Sequence, residues 1–156
     1  SHEPQMTGLE LKQRLIQTSR PLASLKGRIK SGGLVNAYNA LVNQEQPPDL
    51  DDPSHWASQP ASVTSAIPYL PKTNETYNVK VEGAREIALY FEKFDTELNY
   101  DYVEIFDSTG KSIQKMSGMN DDTFSVNIPG DSAKIVFKSD DSVQKTGWTI
   151  TKVAFR

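Results

Sequence analysis

The side chains that could do chemistry in this sequence are carboxylates. There are only two histidines, His2 and His55, and no cysteine. Disulfides, zinc-thiolate sites and thiol catalysis are therefore excluded. A Ser/His/Asp arrangement needs a base within hydrogen-bond reach of the hydroxyl. His2 lies at the terminus and His55 in a Pro/Asp-rich stretch, and neither sits beside a serine on a tight strand-to-helix turn. Catalytic residues are accordingly expected to be none. Acids are plentiful in the second half: Glu97, Asp101, Glu104, Asp107, Asp121, Asp122, Asp140 and Asp141. Acids at the turns of a β domain are ordinarily solvated. Glu97 and Asp101, however, flank one turn, and Asp140 follows directly after an Ile135-x-Phe137 strand pattern. Three carboxylates meeting at one end of a sandwich would repel one another, and a hard cation removes that cost. Calcium takes six to eight oxygens from carboxylates, carbonyls and water. A metal clip would also substitute for absent disulfide staples. Asp49-x-Asp51-Asp52 lacks the rest of an EF-hand loop and reads as solvated linker.

These groups must be positioned by a chain that divides into three pieces. Net charge is +4 over residues 1–43, −4 over 44–62 and −3 over 63–156. The total of −3 argues against a duplex nucleic-acid partner, which requires a basic face. Apolar runs are only a few residues long, so no membrane-spanning segment is expected. The first piece is helical in pattern. Thr7-Gly-Leu-Glu10 forms a capping box, Leu11, Leu15 and Ile16 recur at helical spacing to about Thr18, and Pro21 is a stop signal. A second short helix is expected from about Asn36 to Val42, after the Ser31-Gly32-Gly33 turn. Two such helices make no adequate core, so the face of Leu11, Leu15 and Ile16 needs a partner outside this piece.

The middle piece, 44–64, is expected to be a semi-extended linker, since it holds four of the nine prolines. Leu50 and Trp56 are its large apolar groups and could pin it to a neighbouring surface. The third piece alternates with a period of two: Tyr77/Val79/Val81, Ile87/Leu89/Phe91, Val103/Ile105, Phe124/Val126/Ile128 and Ile135/Phe137. In the last strand Trp148 and Ile150 share one parity and Val153 and Phe155 the other. That predicts either a bulge near Thr151 or burial of both faces. About seven short strands with Pro-Gly, Thr-Gly and Asp/Ser turns favour an antiparallel sandwich. The triplet Asn74-Glu-Thr76 is an N-glycosylation pattern common by chance. Gly32-Gly33 lacks the Lys-Ser/Thr of a phosphate loop.

Three motifs in order give the third piece a family resemblance: Phe91-x-x-Phe94-Asp95-x-Glu97, Tyr100-Asp101-Tyr102-Val103-Glu104-Ile105, and Phe137-x-Ser139-Asp140-x-Ser142-Val143-x-x-x-Gly147-Trp148. Ser65-x-x-Pro68-Tyr69-x-Pro71 is a weaker opening match. From about Ser65 to Phe155 the chain resembles a CUB domain, and in lacking the cysteine that animal members carry near Leu98 it resembles the cysteine-free forms appended to bacterial enzymes. The resemblance implies a compact β-sandwich used for protein recognition, often in secreted proteases. It also implies calcium held by Glu97, Asp101 and Asp140, with a carbonyl from the Ser142 region joining.

The helical piece carries Ser1-His2-Glu3-Pro4-x-Met6-Thr7, Leu11-Lys-x-x-Leu15-x-x-Thr18, and Gly32-Gly33-x-Val35-Asn36-Ala37 with Ala40-Leu41. It resembles the closing helices of a subtilisin-like serine protease domain. The family's nucleophile and partner motifs would lie upstream of Ser1. The combined expectation is a mainly β protein: 1–43 the end of a peptidase domain, 44–64 a linker, 65–156 a calcium-binding CUB-like sandwich preceded by a short helical segment. Expected partners are a protein substrate or surface partner and the catalytic domain of a parent protease, in an extracellular, secreted setting. A free-standing adhesion or scaffold protein is the alternative, and a carbohydrate-binding module a weaker third.

Overall fold

In the computed structural model, which describes residues 5–22, 25, 29–47 and 49–156, the chain falls into two compact units, Ser1–Asp52 and Pro53–Arg156. The first unit begins with helix α1 (Gly8–Gln17). Thr7 caps it: the Thr7 hydroxyl accepts from the Glu10 N–H at 3.3 Å and the Glu10 carboxylate accepts from the Thr7 N–H at 2.8 Å. Helix α1 contributes no buried residue. The expected apolar face is accordingly open or half-open at Leu11, Leu15 and Ile16. Two short strands, β1 (Arg20–Pro21) and β2 (Gly33–Leu34), pair antiparallel where only helix and turn were expected. Gly33 permits that pairing, because a Cβ there would lie 2.0 Å from the Arg20 carbonyl oxygen. Helix α2 (Ala37–Val42) follows with Asn36 as its N-cap. The peptidase-like motif Ser1–Pro4 lies outside the described residues.

The second unit opens on a single 3-10 turn, Pro53–His55. Trp56 then pins the segment, with the Arg156 guanidinium 4.6 Å from its ring centre. Nine strands follow: β3 (Ala57–Thr64), β4 (Asn74–Lys80), β5 (Glu86–Asp95), β6 (Tyr102–Phe106), β7 (Ser112–Met116), β8 (Thr123–Phe124), β9 (Ile128–Pro129), β10 (Ser132–Lys138) and β11 (Gly147–Phe155). They build two antiparallel sheets, β4-β10-β6-β7 and β3-β11-β5-β8, with β9 also pairing β5. The fold class is thus mainly β, an antiparallel sandwich preceded by a short helical segment.

Residues 57–64, expected as the end of the linker, form β3. Its pattern is polar and carries Pro60, which disguises it. As an edge strand it needs to donate to only one neighbour, and Pro60 faces Lys152 beside a register shift between Ile150 and Lys152. That shift is the bulge expected near Thr151. It flips parity so that Trp148, Ile150 and Val153 are all buried. The opposite face is covered too, at Ala88 and Ala154, both 0% exposed. The expected strand 124–128 is interrupted. Ser125 turns aside, its hydroxyl accepting from the Leu89 N–H, and leaves β8 and β9 as separate stubs.

Between the sheets Ile87, Leu89, Phe91, Val103, Ile105, Ile135 and Phe137 meet Trp148 with no exposed surface. Trp148 packs edge-on to Tyr77, Phe91 and Phe137, at centroid separations of 5.1, 6.1 and 6.1 Å. Gly147 fixes how the chain enters this strand. Its φ is +89°, and a Cβ would lie 2.2 Å from Ser65 Oγ, which itself accepts from the Trp148 N–H. Gly147→Ala is therefore expected to cost about 1–3 kcal/mol for the backbone conformation alone, with the Ser65 clash added. Denaturant unfolding of the full chain followed by Trp fluorescence checks this.

Candidate metal centre

The sandwich brings the three expected carboxylates to one tip. Strand β5 ends at Asp95, the chain turns through Thr96–Asp101, and β6 leaves in the other sheet. The turn is closed by the Asp101 N–H on the Glu97 carbonyl at 3.1 Å, with Asn99 in the left-handed region at φ 68°. Strand β10 runs antiparallel to β6 with Lys138 opposite Tyr102. The residues just after β10 therefore lie beside those just before β6, and Asp140 meets Asp101. The loop after β10 crosses to β11, whose first residue, Gly147, pairs Asp95. Both sheet-crossing connections thus share one end. One carboxylate oxygen from each of Glu97, Asp101 and Asp140 lies within 4.8 Å of the others.

Asp101 is the buried anchor, 0% exposed. One of its oxygens accepts from the Asp140 N–H at 2.8 Å, and the other from the Tyr69 hydroxyl. That same Tyr69 oxygen accepts from the Glu97 N–H at 3.1 Å. A single phenol therefore ties the backbone of one acid to the side chain of another. Burial and the Asp101 carboxylate push the Tyr69 hydroxyl up to about 12, so it remains a donor across the physiological range. Thr96 fastens the turn from beneath, donating to the Asp101 carbonyl at 3.0 Å and accepting from the Gly118 N–H at 3.1 Å.

Ser142 stands one step back from the trio. Its N–H and its hydroxyl both donate to Asp140 Oδ1, at 2.8 and 3.3 Å. The side chain is therefore used to orient Asp140. Asp49, Asp51 and Asp52 lie in the first unit.

Glu97 is held through its backbone only. Its Oε2 is buried and has no hydrogen-bond partner among the described residues. Desolvation, then the Asp140 and Asp101 charges, hold its carboxyl above the ordinary glutamate range, opposed by Lys145. An orphaned oxygen beside two further carboxylates fits a cation. The donor set is all hard oxygen, and the spacing matches: two oxygens bound across one calcium are separated by at most about twice its 2.3–2.6 Å bond length.

The family model for the CUB domain matches residues 57–151. The chain belongs to the CUB domain family. Among curated proteins, the E3 ubiquitin-protein ligase HERC2 of Homo sapiens is 34% identical over 98 residues, which is 61% of this chain and 2% of that protein. HERC2 of Mus musculus matches to the same extent, so the chain spans about 2% of the length of these relatives. Among solved structures, the MASP-1 CUB2 domain bound to Ca2+ is 26% identical with a TM-score of 0.50, covering 58% of this chain and 88% of that one. The CUB1-EGF-CUB2 domains of rat MASP-1 are 25% identical with a TM-score of 0.51, covering 60% and 37%. The full extracellular region of zebrafish Gpr126/Adgrg6 shares the fold at 24% identity and a TM-score of 0.53, covering 62% and 14%. The CUB match begins at residue 57, ahead of the expected boundary at 65, because β3 belongs to the sandwich.

Tyr69 is the functional residue that sequence reasoning passed over. It was visible only as part of the Pro68-Tyr69-x-Pro71 opening, 32 residues from the carboxylate it holds. The state of Glu97 gives a direct test. A carboxyl whose folded pKa lies above its unfolded value loses stability as pH rises through the window from 4.5 upward. In chelator, Glu97→Gln is expected to melt higher than wild type at pH 7, the gap closing as pH falls below 4.5. A melting temperature for Glu97→Gln at or below wild type across that range would refute it.

Proposed function

We propose that residues 57–156 form a non-catalytic recognition module stabilised by calcium, with Glu97, Asp101 and Asp140 holding the ion and the Ser142 region completing or orienting the shell. One observation carries this reading: three carboxylate oxygens within 4.8 Å of one another, one residue of the three contributing a buried oxygen without a donor. Membership of a family of protein-recognition type supports a protein or surface partner. The Ca2+ in the printed description of the MASP-1 CUB2 structure supports the choice of ion. Membership of the CUB domain family, whose modules are typically extracellular, supports an extracellular setting. No helix among the described residues is long and apolar enough to cross a membrane.

A second reading concerns residues 1–43, as the closing part of a subtilisin-like peptidase domain whose catalytic portion would be their partner. Its support is the open surface of the first unit: α1 buries none of its residues, and Leu9, Leu34, Val35, Tyr38 and Leu41 are 66, 52, 65, 68 and 53% exposed. On the alternative scaffold reading the first unit has no such partner. The chain itself is expected to show no turnover of a generic protein substrate.

Calcium is expected to raise the melting temperature of the full chain relative to chelator, by about 2.7 kcal/mol of stability at one hundred times the dissociation constant. Asp140→Asn should abolish the gain while leaving the fold intact by far-UV circular dichroism. Absence of any response at millimolar calcium would sink the assignment.

A further inference from the structure

Beside the carboxylate trio lies an open cleft of about 690 Å³, lined by Asp95, Glu97, Leu98, Met119, Val143 and Lys145 among others. Lys145 is the one cation among the described residues of its lining, and it sits on the Asp140–Gly147 loop, on the same crossing that supplies Asp140 and Ser142. Lys72, a second lysine near this tip, is engaged 3.6 Å from Asp141, and its backbone N–H is bonded to the Asp140 carbonyl. Lys145 makes no ion pair within 4.0 Å among the described residues. Its charge nevertheless reaches Glu97, where it opposes the upward push of burial and of the two neighbouring acids. A flexible ammonium on a four-carbon stem therefore shares one cleft with a carboxylate oxygen that has no donor among the described residues.

We propose that Lys145 is a tethered counter-ion of the Glu97–Asp101–Asp140 cluster: its ammonium offsets the carboxylates in the calcium-free protein, is displaced when calcium binds, and so sets the calcium concentration at which the site fills. The proposal rests on the calcium reading of the cluster. It follows from linkage that a group stabilising the calcium-free state weakens calcium binding by the same factor. Lys145 belongs to this chain, so the competition is intramolecular and does not depend on protein concentration.

The experiment measures calcium affinity by titration calorimetry and the melting temperature in chelator, for wild type, Lys145→Gln and Lys145→Arg. Lys145→Gln is expected to bind calcium about fivefold or more tightly and to melt lower in chelator. Lys145→Arg, which keeps the charge, should retain most of both wild-type values, and molar salt should shrink the difference between wild type and Lys145→Gln. If Lys145→Gln tightens calcium binding but leaves the chelator melt unchanged, Lys145 acts by simple repulsion of the ion and the counter-ion assignment is overturned. Unchanged affinity overturns it as well. If wild type itself fails to bind calcium, the calcium reading falls. The electrostatic coupling of Lys145 to Glu97 is then judged separately by a double-mutant cycle of Lys145→Gln and Glu97→Gln in chelator, where additive effects overturn it and a non-zero interaction upholds it.

Discussion

A carboxylate with no exposed surface survives only if its charge is met by donors, because desolvating an ion is far more costly than losing one hydrogen bond. Asp101 satisfies that condition by taking the Tyr69 hydroxyl on one oxygen and the Asp140 N–H on the other. The consequence spreads through the tip. Tyr69 is fixed by its own edge-on packing against Phe137, with ring centres 5.0 Å apart, and holds the Glu97 N–H through the same oxygen that serves Asp101. The acid, the phenol and the loop after β10 are thereby one object. Remove the carboxylate and a buried hydroxyl and a partly buried amide lose their partners together, which is why this small polar network weighs more than its size suggests.

The hydrophobic core supplies the rigidity that the network requires. Phe137 is the inward residue of β10 three positions before Asp140, and Val103 is the inward residue of β6 two positions after Asp101; the two face each other in register. A slip of one residue between β6 and β10 would put Phe137 and Val103 on opposite faces, turning one of them out of the core, and would shift the acids relative to each other, so core burial and carboxylate convergence select the same register. At the opposite margin of the tip, Trp148 anchors the return of the loop into the five-stranded sheet, and Gly147 supplies the conformation for that return. The tip is thus framed by buried aromatic side chains on both sheets, with a cluster of like charge at its outer end.

Much of the sandwich was legible because large apolar side chains alternate along its central strands: Ile87/Leu89/Phe91 and Ile135/Phe137 are all 0% exposed. The parity change between Ile150 and Val153 similarly betrayed its bulge. Edge elements were not legible. In β3, Ala57–Thr64, exposed small and polar residues dominate and Pro60 interrupts the pattern; an edge strand facing water lacks the alternation that burial imposes. In β7, Ser112–Met116, only Met116 is buried, for the same reason. The trio Glu97, Asp101 and Asp140 could be named from turn placement and motif order. Tyr69 could not, since nothing local in sequence marks a phenol as the support of a carboxylate contributed by a different turn. From the Ser142 region a carbonyl was expected to join the ion, and the Ser142 side chain itself is turned to Asp140. In the first unit the helices were visible from capping and spacing. The β1–β2 pairing was hidden, because two-residue strands carry no period at all.

The absence of cysteine bears on why a cation suits this tip. The two sheet-crossing loops, one at Thr96–Asp101 and one after β10, run over the end of the sandwich with no covalent tie between them. Hydrogen bonds alone connect them at Asp101 and Tyr69. Each loop also contributes a carboxylate whose charge pushes the other away, so the calcium-free tip carries a repulsion acting across the very seam that needs closing. A divalent ion reverses the sign of that interaction and joins the same two loops, making its effect on the seam larger than its effect on either loop alone. A disulfide would close the seam permanently. An ion closes it in proportion to its concentration, so on this reading the geometry of the tip, and of the exposed Leu98, Tyr100 and Val143 that accompany the acids, responds to the calcium around it.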